Sequence, residues 1–254
     1  MSVDPLADEY PSLSTYVYVA NNPIAYIDPD GRRFYFAAGA AHDPGNTGYI
    51  GRMLNVFRRS GIRNPVDVQA HGSKASDVLF TVGRNRTTPY YGQFNTSISG
   101  NPTMGPGTSV GLSLANPNWR ITQAVSSIKA DLASNPLEKG EQFNLSGYST
   151  GSVIMAQAAL MLAGEGQVVD NLVLIGSSIT EDSDLYQSLL SNENILNVIR
   201  ADIDGDNVQS PSLETMMSFM SKGESHPHFK YAFGKKAGEN TEQLAKDLKS
   251  QGVK

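Results

Sequence analysis

Residues 142–162, QFNLSGYSTGSVIMAQAALML, carry the clearest indication of the fold. QFNLS has the pattern of a buried strand, and SVIMAQAALML has that of a helix that is apolar on all sides. The turn between them, GYSTG at residues 147–151, contains two glycines, which tolerate close backbone approach and unusual backbone angles. A strand, a sharp turn and a buried helix in this order predict the middle of an α/β domain.

Ser149, at the centre of this turn, is the candidate nucleophile. In the strand–turn–helix arrangement called a nucleophile elbow, a strained turn projects the serine Oγ from the top of a sheet. The Oγ then lies near the positive N-terminus of the following helix. The bare G-x-S-x-G pattern is weak evidence, because an ordinary glycine-rich turn also contains it. Its position between strand and helix favours an elbow, with Gly147 and Gly151 as the elbow glycines.

Strand and helix patterns alternate through the chain from residue 33 onward. This alternation predicts an α/β fold with a mostly parallel sheet flanked by helices. The predicted strands are 34–38, 66–70, 78–82, 142–146, 172–175 and 197–201, and the predicted helices are 49–60, 121–133 and 153–163. A polar, charged tail after Gly234 reads as a solvated surface helix.

A long insertion at residues 85–118 interrupts the alternation. It is rich in Gly, Pro, Ser, Thr and Asn but carries Tyr90, Tyr91, Phe94 and Met104. Long loops inside compact domains are usually functional or disordered. We expect this one to be a lid or a lipid-contacting element.

Composition and charge exclude several classes of function. The 254 residues include no cysteine, so disulfides, thiolate zinc sites and a cysteine nucleophile are excluded. The net charge is −5 and no Lys/Arg run stands out, which argues against a nucleic-acid partner. No apolar run reaches the roughly 20 residues that a membrane span needs. The first residues also lack the basic and apolar regions of a signal peptide.

Residues 33–231 resemble an α/β-hydrolase, because a first strand, an elbow and then polar loops follow one another in that family's order. The resemblance implies the chain order nucleophile, acid, base. His42 and His71 precede Ser149, whereas His226 and His228 follow it. The segment HFKY at 228–231 resembles the His-x-x-aromatic ending common in lipases. We therefore favour His228 as the base, with His226 as the alternative.

Three aspartates in the loop after the predicted strand 197–201 are candidates for the acid: Asp202, Asp204 and Asp206. The GDxV ending of this loop resembles the acid loop of many lipases, so Asp206 leads and Asp202 is the alternative. The DxDxD spacing also suggests calcium. However, an EF-hand needs Gly and Glu where this chain has Asn207 and Leu213. We expect neither a metal nor a cofactor.

The oxyanion hole is expected at two places. One donor is the backbone N–H of Thr150, the residue after the nucleophile. The second is expected from the small-residue turn after the first strand, which includes Gly39 and Ala40. Two aimed donors contribute roughly 3 kcal/mol each to transition-state stabilisation. A plain strand end packed with alanines is the alternative interpretation of this turn.

The N-terminal residues 1–32 have a different character, with short aromatic strands and turns such as DPDG at 28–31. The stretch YVYVANNPIAYIDPDGR at 16–32 resembles the end of the Rhs repeat-associated core of polymorphic toxins, as do the paired Asp-Pro motifs at 4–5 and 28–29. The first motif reads DPLA where the family commonly has DPxG, and Arg32 stands where Leu is common. The resemblance implies that 1–32 is a remnant of the Rhs shell and that 33–254 is the toxin domain. It also implies delivery into target cells by a secretion system and a cognate immunity protein in the producer.

Together these patterns predict a serine ester hydrolase, a lipase or phospholipase acting on membrane lipids of a target cell. The same residues would serve a peptidase, thioesterase or acyltransferase. A non-catalytic binding or structural domain on a hydrolase scaffold also stays open, because fold does not determine function.

Overall fold

The computed structural model describes residues 33–39, 48–70, 119–179, 181, 184–206, 208, 221–222 and 225–254. Several predictions lie outside these residues: the segment 1–32, Ala40, His42, His71, the strand 78–82 and the insertion 85–118.

Strands and helices alternate along the described residues. In chain order they are β1 (Arg33–Ala37), α1 (Gly48–Arg59), β2 (Pro65–Asp67), α2 (Trp119–Ser134), β3 (Phe143–Tyr148), α3 (Thr150–Gly164), β4 (Asn171–Ile175), α4 (Asp184–Leu190), β5 (Val198–Ala201), a 3₁₀ turn (Pro227–Phe229) and α5 (Ala237–Ser250).

The strands form a five-stranded sheet in the order β2-β1-β3-β4-β5, and every neighbouring pair is parallel. Ala37 at the end of β1 lies opposite Gly147 of β3, and Tyr148 lies opposite Ile175 of β4. The carboxyl ends of these strands therefore meet at one edge of the sheet, where α/β proteins place their sites. The predicted α/β class with a parallel sheet is confirmed.

The sheet is buried on both faces, because successive apolar side chains of a strand pack into cores on opposite faces. In β1, Tyr35 and Ala37 belong to one hydrophobic core, whereas Phe34 and Phe36 belong to the other. Helices α2 and α3 supply side chains to the first core. Helices α1 and α5 supply them to the second, on the opposite face. Burial on both faces explains why the strand patterns were nearly all apolar rather than alternating.

Helix α3 is buried along almost its whole length, as its sequence predicts. It begins at Thr150, directly after Ser149, so the candidate nucleophile lies at its N-terminus. Within the described ranges, no helix is long and apolar enough to cross a membrane.

Two parts of the fold differ from the sequence predictions. The tail helix α5 is amphipathic rather than simply solvated, because Leu244, Ala245 and Leu248 pack into the second core. Strand β2 ends at Asp67 rather than at residue 70, and Gln69 takes a positive φ of 53°. The short helix α4 had no clear sequence pattern.

Candidate active site

The turn between β3 and α3 has the strained geometry expected of an elbow. Ser149 has φ 56° and ψ −125°, an unfavourable conformation for a residue with a side chain. Its backbone is held on both sides, because its N–H donates to the Ile175 carbonyl at 2.8 Å and its carbonyl accepts from the Ser152 N–H at 3.0 Å. The Ser152 hydroxyl also donates to that carbonyl, at 2.5 Å. The surrounding structure therefore fixes the strained residue in place.

The two elbow glycines are required by close backbone contacts. A Cβ on Gly147 would lie 2.1 Å from the Gly151 carbonyl oxygen. A Cβ on Gly151 would lie 2.2 Å from the carbonyl oxygen of Ala37, at the end of β1. Neither distance is compatible with a side chain, so the pattern G-x-S-x-G follows from packing between α3 and the strands.

His228 connects the serine to an aspartate. Its Nε2 lies 2.7 Å from the Ser149 Oγ, and its Nδ1 lies 2.6 Å from Oδ2 of Asp206. The side chains of His228 and Asp206 are 3% and 2% exposed, so water does not screen their interaction. In this arrangement the serine can pass its proton to Nε2 while the carboxylate stabilises the resulting imidazolium. The structure thus brings together three of the residues that the sequence singled out.

The loop after β5 positions Asp206 in a way that distinguishes it from Asp202. The second carboxylate oxygen of Asp206 accepts the Val208 N–H at 3.1 Å. Gly205 has a positive φ of 74°, so the loop turns sharply just before the acid. The carboxylate of Asp202 instead accepts two hydrogen bonds from the Arg200 guanidinium, at 2.8 and 3.1 Å.

His226, the alternative base, has a different place. It precedes the 3₁₀ turn, and its Nδ1 accepts the backbone N–H of His228 at 3.1 Å. A nitrogen that accepts a hydrogen bond is unprotonated. Burial also lowers the pKa of His226, while the Asp206 carboxylate acts in the opposite direction. His226 therefore shapes the backbone of the His228 loop.

Tyr148 is a site residue that the sequence did not single out. Its ring stacks on the His228 imidazole with centroids 5.6 Å apart and planes at 20°. Its hydroxyl donates to the His228 carbonyl oxygen. Because the residue before the serine is unrestricted in the elbow pattern, the sequence gives no local signal for this role. Tyr148 is fully buried, which raises its pKa and keeps it neutral.

Two of the three residues expected at the oxyanion hole, Thr150 and Gly39, lie within the described part of the chain. The N–H of Thr150 belongs to the first turn of α3, where N–H groups have no partner within the helix. Gly39 lies beside the serine, since a Cβ there would be 3.0 Å from the Ser149 Cβ. The Gly39 N–H, however, donates to the Tyr49 hydroxyl at 3.0 Å. Gly39's own amide is therefore occupied, and Ala40, which follows it, lies outside the described residues.

Among the residues that the structure describes, no group of three or more His, Asp or Glu side chains is arranged to hold a metal ion. The carboxylates of Asp202 and Asp206 have separate partners, Arg200 and His228.

No protein-family model matches the chain, and no curated protein matches its sequence. Three solved structures are similar to it. A Trichoderma reesei cutinase in complex with a phosphonate inhibitor has a TM-score of 0.46 and 17% identity, with 88% of this chain and 77% of the cutinase covered. An Agrobacterium tumefaciens protein of unknown function, named as an α/β hydrolase, has a TM-score of 0.42 and 13% identity over 89% and 90% of the two chains.

The third is a dienelactone hydrolase-like promiscuous phosphotriesterase from metagenomic libraries. It has a TM-score of 0.42 and 11% identity, over 87% of each chain. These likenesses are distant.

Proposed function

We propose that this protein is a serine hydrolase that cleaves carboxylic esters through an acyl-enzyme. The observation that carries the proposal is the continuous chain of contacts from Ser149 through His228 to Asp206, at 2.7 and 2.6 Å. Nucleophile and base lie within the hydrogen-bond reach that proton transfer requires. A third group orients the base, which is the signature of an activated nucleophile.

The reaction follows from this geometry. The Ser149 Oγ attacks the ester carbonyl carbon while its proton moves to Nε2 of His228. The carbonyl oxygen becomes an oxyanion, which the Thr150 N–H and the turn after β1 stabilise. The C–O bond to the alcohol then breaks, and the alcohol leaves with the proton from His228. A water molecule next gives a proton to His228 and attacks the acyl carbon. The bond from that carbon to the Ser149 Oγ then breaks, His228 returns the proton to the Oγ, and the acid leaves.

Lipid esters are the proposed substrates, and the sequence supports this part. The acid and base loops resemble those of lipases. The insertion 85–118 combines a Gly-, Pro-, Ser-, Thr- and Asn-rich loop composition with aromatic residues that could contact lipid. The Asp-Pro segment at 1–32 supports a toxin role, in which an Rhs shell carries the domain and a secretion system delivers it. In the producing cell, an immunity protein would then inhibit it.

The chemistry is tested with a soluble short-chain ester and a fluorophosphonate probe. We expect the wild-type chain to hydrolyse p-nitrophenyl butyrate and to be labelled at Ser149, as identified by mass spectrometry of the labelled peptide. Ser149→Ala should lose both. Equal turnover by Ser149→Ala, or labelling at another residue, would exclude the serine mechanism.

The lipid and toxin parts need separate assays. Wild-type chain should release fatty acid from phospholipid vesicles and arrest growth when expressed in a bacterial host, and Ser149→Ala should do neither. Turnover of the soluble ester without release of fatty acid would retain the serine mechanism and reject the lipid substrate.

A further inference from the structure

The segment at 229–236, FKYAFGKK, follows the base His228 directly and places aromatic and cationic side chains next to the site. Phe229 lies against the His228 ring, with centroids 5.4 Å apart, and Phe233 lies 5.6 Å from Phe229. Phe233 is 38% exposed. Apolar surface therefore continues from the base outward to solvent.

Three lysines in the same segment carry positive charge: Lys230, Lys235 and Lys236. Lys235 and Lys236 are exposed, and no carboxylate of the described residues forms an ion pair with either. Lys230 lies over the Tyr231 ring with its ammonium 4.9 Å from the centroid. Glu239, in the first turn of α5, is the nearest acidic residue along the chain. Burial raises the pKa of Tyr231, and the nearby carboxylates of Asp247 and Asp204 raise it further, so these two acids border the segment.

Helix α1 extends the positive charge. The Arg52 guanidinium donates to the Tyr231 carbonyl at 3.2 Å and also to the Ala232 carbonyl, so it lies against the same segment. Helix α1 has no acidic residue, and it ends in Arg58 and Arg59, both exposed. The whole chain has 25 acidic against 20 basic side chains, so this concentration of cations does not follow from overall composition.

We propose that this cationic–aromatic surface, formed by Arg52, Phe229, Lys230, Phe233, Lys235 and Lys236, binds the face of an anionic phospholipid bilayer. Exposed aromatic rings enter the boundary between headgroups and acyl chains, while lysines attract anionic lipid. Because Phe229 touches the base, a bilayer bound here places lipid esters beside Ser149. The role of this surface in presenting substrate rests on the proposed ester hydrolase function, whereas the binding to lipid does not require catalysis.

Binding is measured with the full chain carrying Ser149→Ala, so that the vesicles stay intact. We expect it to sediment with vesicles of phosphatidylcholine and phosphatidylglycerol, and only weakly with phosphatidylcholine alone. Adding Lys235→Gln and Lys236→Gln should weaken partitioning about 30-fold, from about 1 kcal/mol per lysine near an anionic surface. Adding Phe233→Ser instead should weaken it about tenfold, through the lost apolar burial.

A matched control has the same change in charge on the other side of the sheet. Lys129 and Lys139 are on or after α2, whose side chains pack into the core on the face opposite α1 and α5. Lys129→Gln with Lys139→Gln should leave vesicle binding unchanged. Equal weakening by the two double variants, or no preference for anionic vesicles, would overturn the inference. Tighter binding to a single-stranded oligonucleotide than to vesicles would reject lipid as the partner.

The soluble ester separates this inference from the proposed function. In the active chain, Lys235→Gln with Lys236→Gln should hydrolyse p-nitrophenyl butyrate at the wild-type rate and phospholipid vesicles more slowly. Ester turnover without vesicle binding would reject only the surface. Vesicle binding without turnover of any ester would reject only the hydrolase.

Discussion

The Nδ1 atom of His226 accepts a hydrogen bond from the backbone N–H of His228, at 3.1 Å. Although the two histidines are only two residues apart, His228 contacts the nucleophile and His226 caps the start of the 3₁₀ turn. His226 is 2% exposed, so it is a buried cap and not a surface histidine.

The first prediction tests the roles of the two histidines by substitution. His228→Ala should lower kcat on a soluble ester by about 10⁴-fold, because it removes the general base. His226→Ala should lower it by about tenfold, because it removes a cap worth about 1 kcal/mol and loosens the turn that carries His228. His226→Asn should recover most of the loss, since asparagine also accepts at this position. An equal loss for His226→Ala and His228→Ala would contradict the assignment.

The second prediction concerns pH. Burial lowers the pKa of His226 below its ordinary value of 6.5; the Asp206 carboxylate opposes this, and nearby His228 and Lys222 lower the pKa further. Below pH 6.5 the unfolded chain therefore binds a proton that the folded chain does not. The contribution of neutral His226 to the free energy of unfolding should be fully present above pH 6.5. It should be lost as the pH drops toward the pKa of His226 in the folded chain.

Urea unfolding across a pH series measures this effect. His226→Asn keeps an acceptor but does not titrate, so it should show a smaller decrease in stability over the same interval. Identical pH dependence in the wild-type chain and in His226→Asn would show that His226 does not contribute.

The third prediction distinguishes the two aspartates that the sequence left open. Asp206→Asn should lower kcat by roughly 10⁴-fold, because an amide beside Nδ1 does not stabilise the imidazolium. Asp202→Asn is the matched control, since Asp202 pairs with Arg200 rather than with a histidine and its side chain is 48% exposed. Such pairs contribute about 0–1 kcal/mol to stability, and kcat should stay within about twofold. A larger loss of kcat for Asp202→Asn would reverse the assignment.

The fourth prediction tests why the elbow needs glycine. Gly151→Ala would bring a methyl group to 2.2 Å from the Ala37 carbonyl oxygen, which forces α3 away from β1. We expect a loss of about 3 kcal/mol or more in the free energy of unfolding, together with loss of activity. Gly164→Ala, at the other end of α3, meets nothing within 4 Å and should be neutral or slightly stabilising. Similar stabilities for the two variants, measured by thermal unfolding, would contradict the packing argument.

The sequence predicted those features that neighbouring residues determine. Gly147 and Gly151 mark the elbow because their contacts are to backbone immediately around Ser149 and at the end of β1. The strands were recognisable because burial on both faces requires apolar runs. The choice between His226 and His228 rested on a resemblance, since both lie in one loop and periodicity does not separate them.

The contacts among Ser149, His228 and Asp206 were expected only from the resemblance to a known family, and other contacts between distant residues were not predicted. Tyr148 reaches the His228 carbonyl across 80 positions of the chain, and no spacing pattern signals such a contact. The cationic–aromatic surface was missed for the same reason, because Arg52 joins the lysines only after α1 packs beside them. Helix α5 was read as solvated because its buried residues are few and are separated by charged ones.

The fifth prediction concerns Tyr49, which the sequence places only at the start of a predicted helix. Its hydroxyl accepts the Gly39 N–H at 3.0 Å, in the turn where a second oxyanion donor is expected. Tyr49→Phe leaves a buried N–H without a partner, at a cost of about 1–3 kcal/mol, and lets the turn move relative to Ser149. Because the oxyanion forms only during the reaction, kcat should fall by roughly tenfold while KM stays unchanged. Tyr35→Phe is the control, since it removes a hydroxyl in β1 that donates to the Asp131 carboxylate of α2, and it should lower stability without lowering kcat. A rise in KM alone, or an equal fall in kcat for Tyr35→Phe, would show that Tyr49 does not position the turn.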